Sequence, residues 1–192
     1  MDPLFIFVFA GLFSPGPNVI LLTASGARFG FTRTLPHVAG VALGVGITAG
    51  LTGLGIGALL TARPGLEWAL KAAAAAWIIW MGVTLWRSSA SGGSTAGDAP
   101  WGVMRAILFQ WVNPKIWAVA LAAASGFPGG LSPMAEAARL GLTFSTLNLG
   151  VCLFWSFAGS LLALLLKTPR AWTIFSRVMA IGLLASAVMV FL

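Results

Sequence analysis

The sequence predicts an all-α polytopic membrane protein, and two observations carry that prediction. Of its 192 residues, 59% are hydrophobic and 8% are charged, whereas about a quarter of the residues of a soluble domain are charged. The few charges also separate long apolar runs, and the mean hydropathy is +0.97. A chain with so few charges cannot cover a water-facing surface, so most side chains are expected to face lipid or other apolar helices.

Six apolar segments are expected to cross the membrane as one transmembrane domain over residues 1–192. A bilayer core of about 30 Å needs about 20 residues of helix for each crossing. The runs between charges give segments one to six at 1–27, 38–62, 66–86, 106–135, 140–166 and 171–192. Segment one is expected to be a retained helix, because Asp2 stands where a signal peptide would be basic.

The connections between the segments alternate in charge. Seven cations fall on or beside the odd-numbered connections, namely Arg28, Arg33, Arg87, Arg105, Lys167, Arg170 and Arg177. The even-numbered side carries Arg63, Lys71 and Arg139, which Asp2, Glu67 and Glu136 offset. By the positive-inside rule, the odd connections are expected in the cytoplasm and both termini on the outer side of the membrane. The net charge of +7 is thus expected to mark sidedness in lipid rather than nucleic-acid binding.

A Ser- and Gly-rich linker at 88–100 divides the chain into halves of about 1–87 and 101–192. Such a composition is typical of flexible connections. Each half holds three segments, so a duplicated second half would insert upside down. The sequence therefore predicts two inverted three-helix repeats, as in many secondary transporters.

Segments one and four each contain a helix breaker, Ser14-Pro15-Gly16-Pro17-Asn18 in one and Asn113-Pro114-Lys115 in the other. At a rise of 1.5 Å per residue, the two breaks lie roughly 14 to 20 Å deep from opposite faces. They are therefore expected to meet near the midplane. Paired breaks in corresponding segments are the best sequence indication of a transporter's binding site.

The residues at the breaks predict a site for a small zwitterion such as an α-amino acid. Proline donates no hydrogen bond, so the carbonyls of Gly11, Phe13 and Gln110 are expected to be free. Ser14 and Asn113 are each expected to cap a new half-helix, whose N-terminus attracts anions together with the Lys115 ammonium. The free carbonyls and the side chains of Asn18 and Gln110 would accept a protonated amine. The predicted substrate-binding residues are Ser14, Pro15, Gly16, Pro17, Asn18, Gln110, Asn113, Pro114, Lys115 and Asn148. Simple proline kinks and polar helix contacts are the alternative.

Three motifs together resemble those of the LysE/RhtB-type amino-acid exporters. They are Ser14-Pro15-Gly16-Pro17-Asn18, the stretch Arg33-Thr34-Leu35-Pro36 leading to Gly40 and Gly44, and Phe109-Gln110-Trp111-Val112-Asn113-Pro114-Lys115. The resemblance covers most of the chain. It implies a six-helix inner-membrane protein that expels amino acids or related metabolites in exchange for protons.

Several residues leave alternatives open. His37, beside Pro36, is expected to be a solvated or capping histidine, with a proton relay as the alternative. No carboxylate lies in the predicted apolar core, so Lys115, His37 or the substrate's own amine are the candidates to carry a proton. The glycines of segment two predict close helix packing, with sliding against a neighbour as the alternative.

Other function classes lack the residues that their chemistry needs. A transported metal ion would need buried carboxylates, paired thiols or clustered histidines, so no metal, cofactor or catalytic site is expected. An intramembrane enzyme is not expected, because the only histidine stands beside proline at a connection. Transport of another small solute or metal ion and a passive channel remain the alternatives to an exporter. A homo-oligomer is compatible with the sequence.

Overall fold

The computed structural model of the chain describes residues 2–56, 64–87 and 99–188. All regular secondary structure in these ranges is helical, which confirms the all-α prediction. The eight described helices are α1 (Pro3–Phe13), α2 (Pro17–Phe29), α3 (Phe31–Gly53), α4 (Pro64–Arg87), α5 (Val103–Val112), α6 (Pro114–Gly126), α7 (Pro133–Leu162) and α8 (Pro169–Val188).

Two pairs of short helices form broken membrane segments. Helices α1 and α2 bend by 59° across residues 14–16, and α5 and α6 bend by 67° across Asn113. Helices α3, α7 and α8, and the Trp68–Arg87 part of α4, are each long and apolar enough to cross a membrane alone. With each bent pair as one span, these helices give up to six crossings. The predicted breaks in segments one and four are therefore confirmed.

Two helices begin earlier in the chain than the charges led us to expect. Helix α3 begins at Phe31, because Gly30 (φ +83°) makes the whole turn from α2 in one residue. Arg33 and His37 consequently lie in the helix rather than in a connection. Helix α7 begins at Pro133, a residue suited to the first helical position, so the residues expected as a loop at 136–139 form its first turns. Most of the predicted linker, residues 88–98, lies outside the described residues.

Helices α3 and α7 form the centre of the bundle and pack along each other. Helix α3 also contacts α2, α5 and α6, while α7 contacts α1 and α2. Helices α4 and α8 pack together at one side. The main apolar cluster joins α1, α3, α6 and α7 around residues such as Val8, Val41, Ala120 and Phe144, and none of these four is exposed.

Glycines on α3 let α5 and α7 approach it closely. A Cβ atom on Gly40 would collide with the Val103 carbonyl oxygen of α5, and one on Gly44 would lie 2.7 Å from Cγ of Gln110. Gly46 faces α7 in the same way. Close helix packing, which the glycines of segment two predicted, is confirmed at these positions, while Gly57 lies outside the described residues.

Candidate functional site

The first break lies between Phe13 and Pro17. The Ser14 N–H donates to the Ala10 carbonyl at 3.1 Å, so Ser14 ends α1 instead of beginning a new helix. Gly16 is the residue that precedes α2, with Pro17 at its first position. The prediction that Ser14 caps a half-helix is therefore wrong. The reason is that Pro17 disfavours a helical conformation at Gly16, so a helix cannot start at Pro15 and continue through it.

The second break consists of Asn113 alone. Pro114 forces this residue out of the helical region (φ −84°, ψ 102°), and α6 begins at Pro114. Asn113 therefore occupies the capping position, as predicted, although its side chain makes no capping hydrogen bond. Instead, its Nδ2 atom donates to Oε1 of Gln110 at 3.4 Å.

Two of the three carbonyls that the prolines were expected to free have local partners. The Gly11 carbonyl accepts the Ser14 hydroxyl at 2.9 Å. The Gln110 carbonyl accepts the Asn113 N–H at 3.2 Å. The prediction that these two carbonyls are free to accept a substrate amine is therefore wrong, because a donor next to each break already binds them.

Lys115 joins the two breaks. Its Nζ atom donates to the Ser14 carbonyl oxygen at 2.5 Å and lies 3.5 Å from the Pro15 carbonyl oxygen. A Cβ atom on Gly16 would lie only 3.0 Å from Cδ and 3.1 Å from Nζ of this lysine, so glycine leaves room for it. The structure thus brings together residues that are about 100 positions apart in the chain.

Asn18 and Gln110 bind each other. Nδ2 of Asn18 donates to Oε1 of Gln110 at 2.8 Å, and Nε2 of Gln110 donates back to Oδ1 of Asn18 at 3.1 Å. Gln110 is fully buried and also donates to the Ala106 carbonyl at 3.0 Å. Both amides were expected to receive a substrate amine, but here they connect α2 to α5.

A small cavity lies beside these contacts. Its lining residues are Leu12, Gly16, Asn18, Val19, Asn113, Lys115, Ile116 and Asn148. Its volume of about 10 Å³ is on the scale of a single water molecule. Five of the ten predicted residues therefore line one cavity, and Ser14, Pro15 and Gln110 bind its lining residues. Pro17 and Pro114 begin the half-helices beside it.

Two polar atoms among the lining residues have no hydrogen-bond partner. They are the acceptor Oδ1 of Asn113 and the donor Nδ2 of Asn148, on side chains that are 1% and 2% exposed. Buried amides are nearly always paired, so an unpaired donor and an unpaired acceptor beside one cavity mark it as a candidate binding site. The sequence did not identify the apolar part of the lining. Leu12, Val19 and Ile116 carry no signal except their position next to the breaks.

His37 is buried, contrary to the expectation of a solvated or capping histidine. The side chain is 2% exposed, and neither ring nitrogen has a hydrogen-bond partner. Its ring packs on Trp101 with 5.2 Å between ring centroids. The early start of α3 explains this position, since it turns residue 37 toward the segment that leads into α5.

No metal ligand set is present in the part of the chain that the structure describes. Residues 2–56, 64–87 and 99–188 contain no group of three or more His, Cys, Asp or Glu side chains that could hold an ion. Cys152 is a single buried thiol.

The chain is similar to one known family and to known membrane proteins. The family model described as LysE type translocator matches residues 9–192. An uncharacterized membrane protein of Vibrio cholerae is 26% identical over 171 residues, which are 83% of this chain and 80% of that protein. No solved structure matches the chain.

A second relative has a described activity. The homoserine/homoserine lactone efflux protein of Salmonella typhimurium is 33% identical over 76 residues. The match covers 40% of this chain and 37% of that protein. An uncharacterized membrane protein of Pseudomonas aeruginosa is 32% identical over 110 residues, or 53% of this chain and 51% of its own length.

Proposed function

The chain belongs to the LysE type translocator family, and from this premise we propose that it exports amino acids or related small zwitterions in exchange for protons. The substrate would bind near the midplane of the inner membrane, between the two helix breaks. Members of this family are membrane translocators of small molecules and not enzymes.

The observation that carries the proposed site is Lys115 beside two unpaired amide atoms. A substrate carboxylate would replace the Ser14 carbonyl as the partner of Nζ, because a hydrogen bond between two charged groups is stronger than one to a neutral carbonyl. Nδ2 of Asn148 would supply a second donor to the carboxylate, and Oδ1 of Asn113 an acceptor for the amine. These three groups match the two ends of a zwitterion.

The packing of the helices supports an inverted-repeat transporter. Corresponding helices of the two halves contact each other directly, α3 with α7 and α4 with α8. Each bent pair also packs on the central helix of the other half, α1 and α2 on α7 and α5 and α6 on α3. The cavity lies where the halves meet, as expected for a site that alternating access exposes to one side at a time. Its size fits a closed conformation.

The charges support one orientation in the inner membrane. Arg28, Arg33, Arg87, Arg105 and Arg170 stand at the ends of helices that meet the odd-numbered connections. We call this end of the bundle the basic end. By the positive-inside rule it would face the cytoplasm, with both termini outside.

Homoserine is the first solute to test, because a relative is described as a homoserine/homoserine lactone efflux protein. Purified protein in liposomes loaded with unlabelled homoserine should accumulate labelled homoserine by counterflow. A panel of amino acids, with homoserine lactone and a dicarboxylate, would define the solute class. If no amino acid or amino-acid derivative exchanged above empty liposomes, the proposed function would be wrong.

A further inference from the structure

His37 is buried at the basic end of the bundle. Its ring lies between α3 and the segment that leads into α5, where Trp101 covers it at 5.2 Å. The Arg105 guanidinium stacks over Trp101, 4.3 Å from the ring centroid, and lies 5.4 Å from the Trp80 ring of α4. Residues of α3, α4 and α5 therefore surround Trp101 where it packs on the His37 ring.

The hydrogen bonds available to His37 favour the neutral ring in this conformation. A neutral imidazole has one N–H to satisfy, whereas an imidazolium has two. Neither ring nitrogen has a partner, and the Arg105 cation stacks on Trp101, the ring that His37 contacts. A proton on His37 would therefore require water, and the ring, at 2% exposure, is closed to water in this conformation.

The charged groups on the other elements around α3 lie elsewhere. Arg28 of α2 and Arg33 of α3 stand over the Phe29 ring at 5.6 and 5.9 Å. Lys115 of α6 is bound at the first break. Glu136 and Arg139 pair at the start of α7, beside Gly53 at the far end of α3.

The cover over His37 is connected to the candidate substrate site. Trp101 contacts Phe109 edge to face at 5.7 Å, and Phe109 precedes Gln110, the partner of Asn18. Helix α5 lies against α3 from Gly40 to Gly44, and Gly44 is two turns, or about 10 Å, beyond His37. Gln110 belongs to the same ten-residue helix, so a displacement of Trp101 and the start of α5 would move Gln110 as well.

We propose that His37 is a proton-operated latch, which binds a proton when the start of α5 separates from α3 and thereby holds the basic end open for substrate. The inference rests on the proposed export function. The proton adds to the free lone pair of the imidazole and returns to water when Trp101 closes over the neutral ring. Acid at the basic end therefore favours opening, because only the open state binds the proton.

Homoserine exchange at equal pH on both sides of the liposome tests the latch. Exchange by the wild-type protein should rise several-fold on acidification from about pH 8 to about pH 6, the range in which an imidazole titrates. His37→Gln should keep exchange at the wild-type rate for high pH and lose the rise. The proposal is wrong if His37→Gln exchanges homoserine with the wild-type dependence on pH.

A second measurement requires no substrate, so it separates the latch from the proposed function. The chain has one histidine, and histidine-labelled protein in lipid nanodiscs therefore gives one set of imidazole NMR signals. Trp101→Ala uncovers the ring, and its signals should follow pH between about 5 and 8. Wild-type and Trp101→Phe signals should stay almost unchanged over most of that range, because the open state that binds the proton is a small fraction of the molecules even where acid raises it several-fold. Equal titration in all three proteins would overturn the latch even if homoserine were exchanged, and absent exchange in the wild-type protein would overturn the proposed function alone.

Discussion

The Nζ atom of Lys115 donates a 2.5 Å hydrogen bond to the backbone carbonyl oxygen of Ser14, which ties the second helix break to the first. This ammonium has only neutral oxygens as partners within the described ranges. A charge inside a membrane protein is expensive unless a partner stabilises it, and such charges usually mark a pathway for substrate or ions. A solute carboxylate is the partner that would complete the site.

Replacing Lys115 with methionine should weaken homoserine exchange. The variant loses a charge-assisted hydrogen bond of about 1.5 to 3 kcal/mol, which corresponds to roughly 10- to 100-fold in the half-saturating concentration. Counterflow over a range of homoserine concentrations measures it. Lys167→Met, at an exposed lysine before α8, is the matched control and should exchange normally. Normal exchange by Lys115→Met would show that Lys115 does not bind the substrate.

Asn148→Leu should reduce transport without lowering the stability of the protein. Nδ2 of Asn148 has no hydrogen-bond partner in this structure, so its removal should leave the melting temperature unchanged or slightly raised. Exchange should fall about tenfold, because the substrate loses one donor. Thermal unfolding in detergent and counterflow measure the two effects. A lower melting temperature with unchanged exchange would make Asn148 a structural residue.

The Asn18–Gln110 pair should behave as a coupled unit. Asn18→Leu or Gln110→Leu alone leaves the other amide partly unpaired, so each should lower the free energy of unfolding by about 1 to 3 kcal/mol. The double variant should lose less than the sum by about 0.6 kcal/mol, the average coupling of polar contacts between membrane helices, and by no more than about 1.7 kcal/mol, the largest such value. A double-mutant cycle of unfolding free energies tests this. Strict additivity of the two single effects would contradict the coupling of Asn18 and Gln110.

Gly40→Ala should disturb the contact between α3 and α5. The new methyl group would overlap the Val103 carbonyl, and overpacking of this kind costs about 1 to 3 kcal/mol. Gly150→Ala in α7 is the control, because no atom lies within 4 Å of its Cβ position. This change should add about 0.5 to 1 kcal/mol of stability. Equal melting temperatures for the two variants would contradict the close approach.

The breaks could be predicted from the sequence because the effect of proline is local. Pro15, Pro17 and Pro114 each lack an N–H and restrict the residue before them, whatever surrounds the helix. Because the two breaks lie at similar depths in their apolar segments, Lys115 was expected near the first break. The exact start of α2 was missed, because Pro15 and Pro17 both suit the first helical position and only the conformation of Gly16 decides between them.

Contacts that depend on helix rotation could not be predicted. Asn18 and Gln110 are 92 positions apart, and their pairing requires α2 and α5 to turn these two faces toward each other. The burial of His37 depends similarly on where the segment before α5 places Trp101. Charges mark where a segment can meet water, but they do not fix where its helix begins, which is why α3 and α7 extend past Arg33 and Arg139.

Binding of a zwitterion between the two breaks is tested best by a crystal structure of the protein with the solute that shows the strongest counterflow. We expect solute density with its carboxylate on Nζ of Lys115 and Nδ2 of Asn148, and with its amine on Oδ1 of Asn113. The hydrogen bond from Lys115 to the Ser14 carbonyl should then be lost. Solute density elsewhere, with Lys115 still bound to the Ser14 carbonyl, would contradict this prediction.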